Sequence, residues 1–483
     1  MTPDEVHSML RSAVDSTIDS DLPTLLAERL DALVADAVRT AIEGNASLAQ
    51  AVTAGLRQCG RNEAVTRAAA GIVECDAEEL RQLYELASVI DRLAVSHFAV
   101  EGKAEAELEA RIRLGCLQLE FSDYLSAAGT FDKAIEICRP LAVEREAEFL
   151  PSLARCLKCL ETALDNVVDK ADEYEDDGIE IDISRFEARF LPLAVEIQST
   201  YERLFDLDAP QYLVRFAWAT RRAADLLITD RGTAAGIELS ALAVALLRQV
   251  YGSKNDQYEA LSFAVESCKH VNRLLDLGRT SEAEGRLRKL LDQLEALTRD
   301  NPAHLHYRMC VYLEESIKKF VEAELPEEAI GFSKRFAEIY GIKAAALDDK
   351  RDYAQLAQWD WGHAGLAYSL MHYDEAREAW DLYVDTYDRI RRKWPQDDAT
   401  VVATARDRVS QRMSELGDKF AAVHHARQAT AAWRALVESE GPDHLPSLMA
   451  AMTAQADREH EAGFEQSALE TLATLGRLRL EAE

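Results

Sequence analysis

One pair of cysteines has a spacing that could bind a metal or exchange a disulfide, namely Cys156 and Cys159. A structural zinc site needs four ligands, and no second cysteine pair or histidine pair lies nearby in the sequence. The two thiols fall one turn apart on an apolar helix face, which favours buried core residues over ligands. The eight cysteines are scattered along a long chain, as expected for reduced thiols rather than a disulfide framework.

An acidic segment, residues 169–184, could attract a cation. A calcium loop places its ligands as Asp-x-Asp-x-Asp-Gly and ends on Glu, whereas this segment runs DEYEDDGIEID and lacks that spacing. We therefore expect a solvated loop, with a cation or basic-peptide site as the alternative.

The histidines that stand close to other polar residues are His304 with His306, His424 with His425, and His460 near Asp457. No nucleophile is paired with them, and the sequence has no Gly-rich phosphate loop, HExxH helix or nucleophile elbow. The sequence thus predicts a protein that is not an enzyme, with no catalytic residue, metal or cofactor.

The net charge of −31 argues against nucleic acid and anionic membranes as binding partners. Nucleic-acid and anionic-membrane binding need concentrated basic surface, and the longest Lys/Arg run is Arg391-Arg392-Lys393. The charge serves solubility or, alternatively, a basic partner. The first residues lack a secretory pattern and no stretch approaches 18 apolar residues, so we expect a cytoplasmic protein without nucleic-acid or membrane contacts.

The elements that would position any binding residues are helices in tandem repeat. Glycine (21) and proline (11) are sparse, and period-two alternation is rare, so the class is all-α. Second-helix landmarks recur every 46 or 47 residues over six units, at Ile237, Ala283, Ala329, Ala376, Ala422 and Ala468.

The first helix of each unit keeps the same step. Its landmarks are spaced by 46, 46, 47, 48 and 46 residues, at Pro210, Asp256, Pro302, Asp349, Asp397 and Asp443. Proline and aspartate suit helix starts, and glycine suits helix ends. Glycines stand at the mid-unit turn as Gly232, Gly278, Gly417 and Gly463. Each unit is therefore helix, tight turn, helix and longer link.

The segment LGCLQLEFSDYLSAAGTFDKAIEICRP resembles a tetratricopeptide repeat at Leu114, Gly115, Tyr124, Ala127, Phe131 and Ala134. It departs from the pattern at Gln118, where an aromatic residue is usual, and at Pro140, one residue late. YDEAREAW near residue 376 carries the same resemblance. The step exceeds the family's roughly 34 residues, so the chain is similar to longer-helix repeats of the kinesin light-chain type, with Gly441-Pro442-Asp443-His444 as a link.

The resemblance spans about residues 105–480 and implies a right-handed α-solenoid of about eight antiparallel helix hairpins, placed at 105–483 with the acidic insert at 169–184. Small landmark residues would let the two helices of each hairpin approach closely. Aromatic and aliphatic neighbours such as Phe131, Phe336 and Trp380 would fill the space towards the next unit. In such an array each hairpin covers the apolar face of its neighbour.

The resemblance also implies that first helices line a concave groove, at positions 18, 15, 11 and 8 residues before each small landmark. These positions select a mixed-charge set with an aromatic pair, which is typical of peptide-binding surfaces. The set is Arg222, Asn272, Glu314, Lys318, Trp361, Tyr368, Asp407, Gln411, Asp457 and His460.

Residues 1–100 are helical but out of phase with the repeats, which indicates a separate bundle: a cap, an adaptor or a dimerisation module. The sequence as a whole predicts a non-enzymatic scaffold or adaptor that binds a protein or peptide, with a homodimer possible. The alternative is a peptide-responsive regulator whose N-terminal module passes the signal to an effector or to DNA.

Overall fold

The computed structural model describes residues 52–54, 56–57, 69, 84–176, 179–231, 234–254, 257–394 and 400–482. From residue 84 onward the described chain is helical, with two short 3-10 turns at Pro302–His304 and Pro442–His444. The α-helices are α1 (Tyr84–Glu101), α2 (Ala104–Glu120), α3 (Tyr124–Glu144), α4 (Glu146–Asp169), α5 (Ala171–Asp176), α6 (Ile183–Leu207), α7 (Ala209–Arg231), α8 (Ala234–Lys254), α9 (Gln257–Asp276), α10 (Thr280–Asp300), α11 (Tyr307–Glu322), α12 (Pro326–Leu347), α13 (Lys350–Ser369), α14 (Tyr373–Lys393), α15 (Thr400–Glu415), α16 (Lys419–Glu440), α17 (Leu445–Glu461) and α18 (Glu465–Ala482).

The helices pack as tandem hairpins. Neighbours in sequence pack together, as α13 does with α14 and α15 with α16, and alternate helices also pack, as α9 does with α11 and α10 with α12. Aspartate side chains cap several helix starts by accepting a backbone N–H bond, among them Asp182, Asp349 and Asp418. The predicted all-α array of antiparallel hairpins is confirmed in the described residues.

The chain divides into two compact units, which we call unit 1 (Met1–Leu246) and unit 2 (Leu247–Glu483). Most of the predicted N-terminal bundle, residues 1–100, lies outside the described residues, so its role stays a prediction. Three repeat landmarks also lie outside them, namely Gly232, Asp256 and Asp397.

The small landmark residues are buried as predicted. Ala283, Ala329 and Ala376 are fully buried, and the other three landmarks are at most 5% exposed. In unit 1, a Cβ added at Gly115 would come within 2.6 Å of the Phe131 ring, so glycine is required at that crossing. Gln118, which replaces the usual aromatic residue, is buried and accepts a hydrogen bond from Thr130 Oγ1 at 2.8 Å. Helix α3 continues past Pro140 to Glu144.

The turn inside each hairpin has a common backbone conformation. The residue five positions before the small landmark has a positive φ in every described hairpin turn of the repeat: 69° at Gly278, 81° at Gly417 and 81° at Gly463. The same φ region occurs without glycine, at Ser122 (62°), Glu324 (61°) and Met371 (65°). The glycine signal therefore marked some turns and missed three others.

The acidic insert is more ordered than the solvated loop that we expected. It contains helix α5, and its Ala171 and Ile181 are buried against Tyr124 and Leu125 of α3. Asp182 accepts from the Ser184 hydroxyl at 2.6 Å and caps α6, which lowers the pKa of its carboxyl. Ala171 and Ile181 are surrounded by acidic residues in the sequence, so the sequence analysis did not identify them as residues that hold the insert against α3.

One apolar helix departs from the sequence expectation about membrane spans. Ala234–Gly252 is long enough and apolar enough to cross a bilayer, with a mean hydropathy of 1.3. Its Ile237, Ala243 and Val250 are buried in the protein. Since the core helix of a soluble protein has the same length and composition, this finding is weak support for a membrane span.

Candidate functional site

The ten predicted groove residues all lie on the first helix of a hairpin. Arg222 is on α7 in unit 1, and the other nine lie on α9, α11, α13, α15 and α17 of unit 2. The structure thus confirms their helices, while the groove itself stays a prediction.

The predicted aromatic pair, Trp361 and Tyr368, packs against other aromatic rings of the core. Trp361 contacts Trp380 and Tyr383, with ring centroids 6.2 and 5.0 Å apart. The Tyr368 and Trp380 ring centroids are 5.7 Å apart, and the Arg412 guanidinium lies over the Tyr368 ring at 6.0 Å. Trp380 is 1% exposed and forms the centre of this cluster. Both predicted residues are partly buried, so they support the core as well as any groove.

Four more of the ten have partners on their own or a neighbouring helix. Glu314 and Lys318 form an ion pair at 2.7 Å, and Gln411 donates to Glu415 at 3.0 Å. Asp407 accepts from the Trp433 indole N–H at 2.9 Å, and burial raises the pKa of its carboxyl. Such contacts fix the side-chain positions and use hydrogen-bonding groups that would otherwise be available to a partner.

The remaining unit 2 residues are less engaged. Asp457 and His460 are exposed on α17, whereas Asn272 on α9 is half-buried. The Asn272 side-chain oxygen is buried without a hydrogen-bond donor among the described residues. The tenth residue, Arg222, is the one that leads to a cavity.

Arg222 lies in a cleft of unit 1 between α4, α6 and α7, with a volume of about 450 Å³. Its floor is apolar and comes from Ala194, Ile197 and Ala219, with the buried ring of Tyr201 beside them. Its polar lining is Lys158, Glu161, Arg215, Trp218, Arg221, Arg222 and Asp225. We call this cavity the arginine cleft. A concave apolar floor with a few convergent polar groups is the usual form of a ligand site.

A buried carboxylate organises one side of the arginine cleft. Glu161 is 2% exposed and pairs with Lys158 and with Arg222, whose Nε lies 3.2 Å away. Arg222 also reaches Asp165 at 2.9 Å and lies over the Phe190 ring at 5.7 Å. Burial raises the pKa of Asp165, an effect that Arg222 opposes. This network holds the Arg222 guanidinium in a fixed orientation.

The other side of the arginine cleft is cationic and aromatic. Arg215 is exposed and makes no ion pair with the described residues. The Arg221 guanidinium lies over the Trp218 ring at 4.9 Å. Burial raises the pKa of Tyr201, so its phenol stays neutral and can donate or accept a hydrogen bond. Arginine next to tryptophan is the combination that dominates binding hot spots.

Sequence reasoning found Arg222 from its repeat position and missed the other polar residues of the arginine cleft. A signal was present: the stretch RFAWATRR on α7 places Arg215, Trp218 and Arg222 at i, i+3 and i+7, on one helix face. The contributions of α4 and α6 had no such signal, because they depend on how three helices pack.

The cysteine pair consists of one buried and one half-buried thiol, Cys156 and Cys159. Cys156 is buried, and burial raises the pKa of its thiol to about 12. A hydrogen bond with Cys116, followed by burial, raises the pKa of Cys159. Both are free thiols, and no group of three or more His, Cys, Asp or Glu residues suited to a metal occurs in the described part of the chain. A neutral thiol is a poor nucleophile and a poor metal ligand.

No protein-family profile matches the chain, and no curated protein sequence does. Among solved structures it is similar to a putative kinesin light chain with nearly identical TPR-like repeats from Podosopora anserina, at 16% identity and a TM-score of 0.27 over 45% of this chain and 95% of that one. It is similar to BtubC from P. vanneervenii, at 17% identity and a TM-score of 0.29 over 52% and 92%. A signal transduction ATPase with a tetratricopeptide repeat sensor from Pyrococcus horikoshii gives 15% identity and a TM-score of 0.25 over 100% and 72%.

These scores are too low to support an argument about function. The repeat architecture follows from the helices themselves: tandem hairpins with small residues buried at each crossing and a positive-φ turn five residues earlier. The described chain is an all-α array of tandem helix hairpins.

Proposed function

We propose that this protein is a non-enzymatic scaffold or adaptor, and that the arginine cleft binds an acidic peptide segment of a partner protein. The observation that carries the proposal is an excess of positive charge in the lining, where four cations face the two acids Glu161 and Asp225 around one apolar floor, in a chain of net charge −31. The cations are Lys158, Arg215, Arg221 and Arg222. A local cationic site on an acidic protein selects for carboxylates, because the surrounding surface repels them elsewhere.

The geometry supports a peptide rather than a compact metabolite. The floor of Ala194, Ile197 and Ala219 offers burial for an apolar side chain, while arginines at the edge offer paired donors to carboxylates. Among the described residues, Arg215 has no ion pair that would have to break before it binds a partner. Trp218 adds a large ring surface at low entropic cost.

A peptide-binding measurement tests this proposal. The probe is an eight-residue peptide of alternating leucine and glutamate, compared with its leucine–glutamine counterpart, on the full chain. We expect the glutamate peptide to bind and Arg215→Gln to weaken it about tenfold, since a hydrogen bond to a charged group is worth roughly 1.5 kcal/mol.

The matched control is Lys133→Gln, which removes one exposed positive charge from α3 of unit 1, outside the arginine cleft. It should leave the affinity within about twofold, since exposed charges outside the site contribute little. Equal weakening by both variants, or equal binding of both peptides, would contradict a specific acidic-peptide site. The regulator alternative depends on residues 1–100 and stays a prediction.

A further inference from the structure

A second cavity lies in unit 2, between α12, α13 and α14, and its charge is opposite in sign. It has a volume of about 280 Å³ and is lined by five carboxyl groups against the two fixed cations Lys334 and Arg389. The carboxyl groups are Glu338, Asp360, Glu375, Glu378 and Asp385. We call this cavity the Asp360 pocket.

Asp360 is a buried acid that lacks a cation. It is 5% exposed, and its one polar partner among the described residues is Thr386, whose hydroxyl donates at 3.4 Å. Burial raises the pKa of Asp360 to about 7, with a small opposing effect from Thr386. Buried carboxylates are normally paired with a positive group, because desolvation otherwise costs too much.

His363 stands three residues further along α13, on the same helix face. It is 6% exposed, and its Nδ1 is buried without a hydrogen-bond partner among the described residues. Burial and the nearby Lys334 lower its pKa to about 4, so the ring is neutral at pH 7. When Nε2 carries the proton, Nδ1 is an acceptor with no donor. Among the described residues, the pocket thus contains a buried acid with no cation and a ring nitrogen with no hydrogen-bond donor.

The remaining residues of the Asp360 pocket indicate what kind of ligand would fit beside Asp360 and His363. Ala337, Leu356 and Ala379 supply apolar walls, and Gly341 leaves a gap beside Leu356. The rim acids Glu338 and Asp385 are exposed and make no ion pair with the described residues. The volume lies at the low end of the roughly 300–1,000 Å³ of ligand pockets, which suits one side chain. No metal-ligand group of three occurs in the described chain.

We propose that the Asp360 pocket binds a primary ammonium group on an alkyl chain, with Asp360 and the Nδ1 of His363 as acceptors. An ammonium carries three N–H donors and one positive charge, so it supplies the cation that Asp360 lacks and the donor that the His363 ring nitrogen lacks among the described residues. The alkyl chain lies against the apolar walls, as lysine stems do elsewhere. The ammonium comes from a lysine of a partner protein or from a free diamine, and the test separates the two sources.

The test measures binding to the full chain by calorimetry, with two probes. Nα-acetyl-lysine methylamide represents a lysine within a peptide, and 1,5-diaminopentane represents a free diamine. We expect at least one to bind, and the tighter of the two identifies the source. Nε-acetylation of the lysine probe removes its charge and should abolish binding, because the neutral amide leaves Asp360 without its counter-charge.

The variant arm uses Asp360→Asn, an isosteric change in the pocket, and Glu322→Gln, an equal charge change on the exposed face of α11. Asp360→Asn should weaken binding about tenfold or more, and Glu322→Gln should change it less than about twofold. Far-UV circular dichroism confirms that both variants fold. Binding of neither probe, undiminished binding by Asp360→Asn, or equal binding of the acetylated probe would overturn the proposal.

The pH dependence of the affinity gives a second test, which uses the wild-type protein and does not depend on whether a variant folds. The charged groups facing Asp360 are Lys334 and Glu338 of α12, His363 of α13, and Glu375, Glu378, Asp385 and Arg389 of α14. Among these acids, Asp360 has a pKa raised to about 7, so affinity should rise between pH 6 and pH 8 as it ionises. A flat profile would contradict Asp360 as the acceptor. The arginine cleft plays no part, so Arg215→Gln should leave this binding unchanged.

Discussion

The two cavities of this protein are built alike and charged oppositely. The arginine cleft of unit 1 and the Asp360 pocket of unit 2 each lie among three helices, with an apolar wall and one deeply buried acid. In unit 1 the buried acid, Glu161, is neutralised by Lys158 and Arg222. In unit 2 the buried acid, Asp360, has a hydroxyl donor but no cation within the part of the chain that the structure describes.

This difference shows that a repeat array can vary the charge of its cavities without changing its fold. The hairpin crossings and turns have the same form in both units, since Ala127 and Ala376 are both fully buried and both follow a positive-φ turn by five residues. The charge of each cavity is set by a few side chains on that common frame. In the arginine cleft Lys158 and Arg222 neutralise the buried acid, whereas in the Asp360 pocket no cation among the described residues does so.

The largest expected effect comes from neutralising the buried acid in each unit. Asp360→Asn should stabilise the fold at pH 8 by up to about 4 kcal/mol, because the folded pKa of about 7 lies some three units above the unfolded value. The folded state holds the Asp360 proton more tightly than the unfolded state, so this penalty is absent below about pH 4 and full above pH 7. The gain should therefore shrink when urea denaturation is repeated at pH 5.

Glu161→Gln should have the opposite sign. It breaks the contacts to Lys158 and Arg222 and should destabilise by about 1.5–3 kcal/mol, the usual value of a hydrogen bond to a charged group. The two variants are matched controls for each other, since each removes one buried negative charge. If both variants changed the free energy of unfolding in the same direction in urea at pH 8, the claimed difference between the two buried acids would be contradicted.

A smaller effect tests the common frame. Met371 and Ser122 occupy the left-handed turn position with φ of 65° and 62°. Replacing either with glycine should stabilise the protein by about 1 kcal/mol, because a side chain is strained in that region. The reverse change, Gly417→Ala, should cost a similar amount. If Met371→Gly and Ser122→Gly differ by more than about 1 kcal/mol, the turns of the two units are not equivalent.

The sequence predicted the fold well because the repeat is periodic. A small residue every 46 or 47 positions marks helix crossings that backbone packing requires, and Ala283, Ala329 and Ala376 are fully buried accordingly. The positive φ at Glu324 and Met371 was not predicted, because the sequence analysis used glycine as the signal for such turns. There the surrounding helices hold a strained residue in place.

The sequence predicted the candidate sites less well. Repeat phase selected Arg222, which lines the arginine cleft, and it also selected Asp407, whose carboxylate accepts a hydrogen bond from Trp433. Phase gives the helix and the approximate face, but not whether a neighbouring helix already satisfies the side chain. Asp360 and His363 were missed because what sets them apart is a missing cation and a missing donor among the described residues, and this depends on how three helices pack.

The most direct test of this account is a crossed binding measurement on the full chain. The leucine–glutamate peptide and Nα-acetyl-lysine methylamide are each titrated into wild type, Arg215→Gln and Asp360→Asn. We predict that Arg215→Gln weakens the acidic peptide about tenfold and leaves the ammonium probe unchanged, and that Asp360→Asn does the reverse. Loss of both ligands in either variant, or of neither in both, would contradict two independent sites of opposite charge.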